Sequence, residues 1–280
     1  MSRLAVQKTL KMYVGGKFIR SESGRTVAAK AADGSTMNVC FASRKDLRDS
    51  IGNNRSSQPK WAAMTAYNRG QILYRLAEIL EARADTLPAK KADVHAAIDR
   101  AVHHAGWSDK VTAVLSTLNP VAATYVNYSL VRPVGVVLAV PHPDDGLLGM
   151  VEALCAAVLM GNSTTVLVPP ASAEVATHLM EALATSDFPG GVVNILTGDI
   201  PGVLATANVH DDLDTLFVTE GVLEPEVLKT AQIEAAAVMR RIVIAGRAAE
   251  PATPAHLMRL AELQTVWMSA WEPQGGAAAY

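Results

Sequence analysis

The sequence predicts an α/β fold built on a parallel sheet, and three observations predict it. Beyond Arg132, short β-branched runs alternate with longer helical patterns. Strands are expected at Val134–Val140, Thr164–Val168, Val192–Leu196, Thr215–Val218 and Arg241–Ile244, with helices between them at Leu147–Met160, Ser172–Thr185, Gly202–Asn208 and Glu224–Met239. Val134–Val140 is continuously apolar, as a strand covered on both faces would be. Finally, Arg132–Gly161 has the layout of a nucleotide-binding unit: strand, turn Pro141–Asp145, apolar helix. Right-handed βαβ units are the economical solution for this alternation, giving a Rossmann-like sheet. Ligands of such sheets bind at strand C-terminal ends, so the residues of the Pro141–Asp145 turn decide what the chain can do.

The earlier elements follow from local signals. Lys11–Ile19 (KMYVGGKFI) reads as a hairpin turning at Gly15-Gly16. Ser43–Met64 begins on a capping residue and is predicted helical. In Asn68–Ala84, residues Ile72, Leu76, Ile79, Leu80 and Arg83 recur at helical spacing and leave one apolar stripe, ended by Pro88. Asp93–Gly106 and Ser108–Leu118 are further helix candidates. Thr124–Val131 (TYVNYSLV) is aromatic and β-branched, which favours an exposed or interface strand. Glu272–Tyr280 is a Gly/Ala-rich tail expected to fray.

Composition excludes several classes. The chain has 280 residues, enough to bury a substantial core in one or two domains. Half the residues are hydrophobic, 19% are charged and the formal net charge is −2, so no basic stripe for nucleic-acid binding is available. The N-terminus lacks the pattern of a secretory signal, and the apolar runs are shorter than the roughly 18–20 residues that span a bilayer. Two cysteines, Cys40 and Cys155, form no disulfide framework and no metal pattern. A cytoplasmic α/β protein is expected.

Several segments together carry a family resemblance: YVGGKF (Tyr13–Phe18), YNRGQILYRLAEILEARAD (Tyr67–Asp85), AGWSDK (Ala105–Lys110), RPVGVV (Arg132–Val137), Gly161-Asn162 and FPGGVVNILTGD (Phe188–Asp199). In this order they resemble the N-terminal and cofactor-binding parts of the aldehyde dehydrogenase superfamily. The resemblance is closest to the shortened second module of two-module bacterial members, which lacks a catalytic cysteine. TVWM (Thr265–Met268) resembles that module's ending, so the short length is expected to be natural. The resemblance implies four parts. Residues 1–123 form a hairpin and helical part packed on the sheet, and 124–131 an oligomerisation strand. Residues 132–271 form a degenerate cofactor-binding sheet, and 272–280 the tail. A catalytic domain is expected to be absent.

The same resemblance implies what each site position should hold. Active members carry Pro-Trp-Asn-Phe-Pro in the first turn, where the asparagine amide stabilises an oxyanion. Pro143 falls on that asparagine and has neither a side-chain amide nor an N–H. Val168 falls on the lysine that binds the cofactor ribose, Ala171 near the ribose-binding glutamate, and Ile200 on a glycine that lets backbone approach the ligand. The Phe-Thr-Gly-Ser loop at the diphosphate becomes Phe217-Val218-Thr219-Glu220, and the general-base segment becomes Ile244–Ala248. Only Pro141, Gly198 and Phe217 remain as vestiges of cofactor binding. No catalytic residue, metal or cofactor is therefore expected, with NAD binding as the alternative.

Other polar clusters have two readings. His142 with Asp144 and Asp145 could hold a metal or form a solvated loop; capping of the following helix explains the two aspartates. His210, Asp211, Asp212 and Asp214 read as a surface loop, and Arg240-Arg241 as an anion site or, preferably, a charged strand start. His103 and His104 lie on a packing helix, where consecutive residues do not share a face. Cys40 and Cys155 read as buried structural thiols rather than nucleophiles. Aldehyde oxidation by this chain alone is not expected.

The apolar Leu147–Met160, Thr124–Val131 and Leu263–Trp267 suggest a partner surface. The expectation is a non-catalytic subunit that associates with itself or with a full-length aldehyde dehydrogenase. The alternative is an NAD-dependent subunit active only in a complex.

Overall fold

The computed structural model describes residues 6–121, 125–249 and 253–270. At the N-terminal end, β1 (Thr9–Leu10), β2 (Met12–Val14), β3 (Lys17–Ile19), β4 (Thr26–Lys30) and β5 (Thr36–Cys40) come first. Strands β2 and β3 form the expected hairpin, with Gly15 at φ +63° and Gly16 at φ +78°. Those left-handed conformations are why glycine stands at both positions. Strand β4, not expected from local signals, joins β5 and β1 in a small sheet of order β1-β5-β4.

Helices α1 (Arg44–Ala63), α2 (Ala66–Ala82) and α3 (Lys91–Trp107) lie where helical spacing predicts them. Ser43 and Asp46 close a capping box at the start of α1, satisfying N–H groups that the helix leaves free. Ser108–Leu118, expected as one helix, instead divides. Only α4 (Val111–Leu115) is helical, and Thr117–Asn119 becomes β6. The β-branched Thr117 and the need to pair with the next strand override the weak helical pattern.

That next strand is β7 (Tyr125–Pro133). The remainder alternates as predicted: β8 (Val136–Val140), α5 (Gly146–Leu159), β9 (Ser163–Val168), α6 (Ala173–Leu183), β10 (Val193–Thr197), α7 (Ile200–Ala207), β11 (Thr215–Thr219), α8 (Pro225–Ala237) and β12 (Arg241–Ala245). The short α9 (Pro254–Met258) then leads to β13 (Ala261–Ser269). The Glu272–Tyr280 tail and Thr124 lie outside the described residues.

The main sheet has the order β12-β11-β8-β9-β10-β2-β3. Its first five strands are parallel, while β2 runs antiparallel to β10. The chain winds from β8 outward through β9 and β10, then returns to the other side of β8 for β11 and β12. This reversal places a topological switch point between β8 and β11, where the sheet opens a crevice.

Successive residues of each strand feed opposite cores. Val137, Ala139, Val166, Val168 and Phe217 pack on the side of α2, α3, α5 and α6. Val136, Leu138, Leu167, Leu196 and Val218 pack on the side of α1 and α7. Asn162 ties the sheet to its neighbour: its Oδ1 accepts from Gly135 N at 2.9 Å and its Nδ2 donates to Leu260 O at 2.9 Å. Both groups are buried, so the asparagine joins the starts of β8 and β13.

One expected partner surface is corrected here. Leu147, Val151, Leu154, Cys155, Ala157 and Val158 of α5 are fully buried within this chain. A helix apolar on nearly every side is a core helix, and α5 spends its surface on α2, α3, α6 and the sheet. The other two segments remain exposed. They pair antiparallel as β7 and β13, Trp267 opposite Asn127 and Ser269 opposite Tyr125, in a sheet of order β13-β7-β6. No helix among the described residues is long and apolar enough to cross a membrane.

Candidate functional site

The switch-point crevice is bounded by the turn after β8 and the loop after β11. Val140 leads into buried Pro141 and then His142, whose Nδ1 accepts from Asp144 N at 3.2 Å. The other lip carries Gly221, at φ +78°. A Cβ built on Gly221 would lie 3.8 Å from both His142 Cδ2 and Nε2, an ordinary packing distance. The lip itself is held by Glu220 N, which donates to Ala245 O at 2.8 Å.

Asp145 forms a bridge. Arg247 donates to its Oδ1 from Nε at 2.8 Å and approaches the same oxygen from Nη2 at 2.7 Å, while Ala248 N donates to Oδ2 at 3.1 Å. Burial pushes this carboxyl up, but the bonds from Arg247 and Ala248 outweigh it and hold Asp145 below the usual aspartate range. The first turn is thereby fastened to the segment following β12.

Asp145→Asn is expected to lower stability by about 1–2 kcal/mol at pH 7, since it weakens charge-assisted bonds to a half-exposed partner. A depressed folded-state value means this contribution is present above the unfolded-state value and fades as pH falls through the folded one. Urea unfolding of both proteins at neutral and acid pH checks this; an equal difference at both would contradict it.

The bridge changes the reading of the two aspartates. Asp145 makes no side-chain cap to α5. Asp93 of α3 does so instead, its Oδ2 accepting from Leu147 N at 3.2 Å. Burial raises the Asp93 carboxyl, and hydrogen bonds from Leu147 and Leu148 offset part of that rise. A Cβ on Gly146 would lie 2.8 Å from Asp93 Oδ2, so glycine is required where α3 touches the start of α5. Asp144 is exposed and 3.8 Å from His142 Nδ1. No group of three His, Cys, Asp or Glu residues among the described ones is placed to hold a metal ion.

The remaining sequence-derived positions are absorbed by packing. Val168 is buried and belongs to the α5-side core. Ile200 joins Ala42, Val203 and Leu204 in the opposite core. Phe217 is buried in β11 between Ala139 and Val243. Gly198 N donates to Val168 O at 3.0 Å, and a Cβ there would press to 3.2 Å from the Ala42 Cβ, so this glycine serves close packing. Ala171 is exposed at the β9–α6 connection. Between the first turn and the end of β9, Pro141, Pro143 and Met150 meet Val168, Pro169 and Ser172 with no room for a water molecule.

These residues do not fit the dinucleotide that such a sheet implies. A diphosphate at the switch point would meet the exposed carboxylates of Asp144 and Glu220. Asp145 adds a third carboxylate, leaving the single Arg247 within electrostatic reach of all three. A dianionic ligand is repelled by that balance.

At the crevice lies a cavity of about 360 Å³, walled by Gly149, Ala153, Ala156 and Phe217, with Glu152, Glu220 and Arg247 also lining it. Glu152 was not singled out from sequence. Its Oε2 accepts from Arg100 Nη1 at 2.5 Å and from His104 Nε2 at 3.0 Å. His104 is fully buried while His103 is not, in line with neighbouring residues facing different ways. Cys155 lies three residues from Glu152, one turn along α5, yet has no access to solvent. Burial, reinforced by the Glu152 charge, pushes its thiol well above the ordinary range, the opposite of a nucleophile. Cys40 is likewise buried at the end of β5.

The outlying clusters are structural. Asp214 Oδ2 accepts from Arg55 Nη2 at 2.6 Å and Val136 N at 2.7 Å, so only part of the His210–Asp214 segment is surface loop. Arg240, expected as a charged strand start, is instead buried and donates to the carbonyls of Leu213, Ala207 and His210. Arg241 does lie half-exposed, donating to Ala261 O at 2.6 Å.

Known proteins share this architecture. A family model described as the aldehyde dehydrogenase family matches residues 18–222. DhaS of Bacillus subtilis, named as an aldehyde dehydrogenase, is 29% identical over 257 residues, covering 85% of this chain and 50% of DhaS. A cytosolic aldehyde dehydrogenase of Elephantulus edwardii is 28% identical over 239 residues, covering 78% of this chain and 46% of its own length. The NAD+ complex of an aldehyde dehydrogenase from Bacillus cereus superposes with a TM-score of 0.77 at 22% identity, over 85% of this chain and 51% of that one. At that identity the superposition speaks for the fold. The chain spans about half the length of the curated relatives it matches. From residue 18 to residue 222, and through the sheet order built on them, the chain belongs to the aldehyde dehydrogenase family.

Proposed function

We propose that this chain is a non-catalytic member of its family, serving assembly or regulation of an active aldehyde dehydrogenase. The observation that carries this reading is the Asp145–Arg247 bond, which fastens the first turn to the segment after β12 beside the exposed carboxylates of Asp144 and Glu220. Proline at position 143 supplies no amide to an oxyanion, and both cysteines are buried in the core. These are properties of the cofactor-binding part itself and hold whatever accompanies it. The retained switch-point topology favours a second reading, an NAD-dependent subunit active only in a complex.

The assembly surface in this reading is the ribbon of β6, β7 and β13. Tyr125 and Trp267 stack edge to face at 6.2 Å and are half or more exposed, while exposed Val126 and Met268 pair on the opposite face of the ribbon. Aromatic residues and methionine are enriched at interfaces, so these exposed side chains support a partner site. The occupant is a second chain of the same fold, either a copy or a full-length aldehyde dehydrogenase. Light scattering of the purified chain, alone and co-expressed with an aldehyde dehydrogenase from the same genome, tests this. A dimer or mixed complex that Trp267→Asp dissociates is expected; a monomer in both preparations overturns it.

A further inference from the structure

A second cavity, of about 200 Å³, lies on the far side of the molecule from the switch point, between the α1–α2 junction, α4 and the end of β7. Two arginines line it, Arg69 and Arg132, and none of its lining residues is acidic. The geometry points to this cavity as a binding site for a small oxyanion, a carboxylate or a phosphate group, gripped by the fork of Arg69.

Arg69 stands in the first turn of α2 and folds back on the end of α1. Its Nη1 donates to Met64 O at 2.6 Å and Ala62 O at 3.4 Å, which accounts for one edge of the guanidinium. The other edge is not accounted for. Its Nε is buried without an acceptor, and no bond to Nη2 is formed among the described residues. Burial alone pushes this guanidinium down, with no carboxylate near enough to offset it. Nε–H and one Nη–H of arginine form the planar pair that receives carboxylate and phosphate side-on. A partly buried guanidinium with that pair empty is a costly arrangement that an anion would relieve.

The surroundings supply further donors. Arg132 uses Nε on Gln264 Oε1 at 2.7 Å, and its terminal nitrogens make no other bond among the described residues. Thr112 contributes a hydroxyl at the start of α4. Two helix ends (α1, α5) and two helix starts (α2, α4) meet the cavity, so their dipoles largely cancel and the two arginine charges remain. Capping of α1 by Arg69 is the competing explanation, and it uses only Nη1.

Calorimetric titration of the purified chain with inorganic phosphate and, separately, acetate, at constant ionic strength set with chloride, tests the assignment. Saturable one-site binding of at least one anion is expected, weakened about tenfold or more in Arg69→Gln. Arg69→Lys keeps the charge but loses the fork and should be weakened similarly, whereas capping alone would leave binding unaffected. Should Arg69→Gln fail to fold, Arg132→Ala, whose side chain is exposed, still reports, with a several-fold loss expected. Saturation by phosphate alone assigns a phosphate ligand and by acetate alone a carboxylate. Absence of saturable binding, or equal affinity in wild type and all variants, overturns the site.

Discussion

Replacing Glu152 with alanine is expected to lower the unfolding free energy by about 3–5 kcal/mol, the range for removing one member of a buried ionic cluster. Glu152 is 12% exposed, between Arg100 at 8% and His104 at 0%. It joins α5 to α3, the two helices that cover one face of the sheet. A carboxylate only accepts, so His104 Nε2 carries the hydrogen and its Nδ1 is left buried without a partner among the described residues. Loss of Glu152 would orphan both ring nitrogens. Glu152→Gln should cost less, because an amide oxygen still accepts from one neighbour.

Acid weakens the same cluster. Burial pushes the Glu152 carboxyl up, but the His104 and Arg100 hydrogen bonds and charges together hold it below its ordinary range. The folded-state value is thus depressed. Its stabilisation is complete above the unfolded-state value, near about 4.3, and disappears as pH falls through the folded one. Denaturant unfolding of wild type and Glu152→Gln should converge at low pH and diverge near neutrality. Parallel curves would show that the carboxylate charge is not what binds α5 to α3.

Arg240→Ala is the second large effect, with an expected loss of about 3 kcal/mol or more. The guanidinium is 8% exposed and holds three carbonyls of the α7–β11 connection. Burial lowers its affinity for the proton, and Asp214 and Asp211 counter part of that. Lysine is a poor substitute, since one ammonium cannot reproduce the planar fan of donors. Arg241→Ala, at the half-exposed neighbouring position, should cost less than about 1 kcal/mol. Equal losses at the two positions in urea unfolding would refute the assignment of Arg240 as the residue that organises this connection.

These two sites show where sequence reading ends. Strands β8 to β12 are legible because β-branched runs alternate with helical patterns, and β8, buried on both faces, leaves a continuous apolar run. What the resemblance implies for the family's site residues, at Pro143, Val168, Ile200 and Glu220, is legible position by position. What replaced them is not. The Asp145–Arg247 bond spans 102 residues of sequence, and the Glu152 cluster joins residues 48 and 52 apart. No local pattern encodes such pairs. Asp145 looks like a helix cap until Asp93, from another helix, is found doing that work. Likewise β13 reads as an apolar partner segment, since its pairing with β7 reaches back over 130 residues of chain. Capping and surface rules are local, and they misassign a charged side chain whenever a distant carbonyl or arginine claims it.

The reading that no dinucleotide binds at the switch point rests on the exposed carboxylates of Asp144 and Glu220 and on the Asp145–Arg247 bond. Isothermal titration of the purified chain with NAD tests it most directly. No saturable heat is the predicted result, and saturable binding with a dissociation constant tighter than about 1 mM would contradict it.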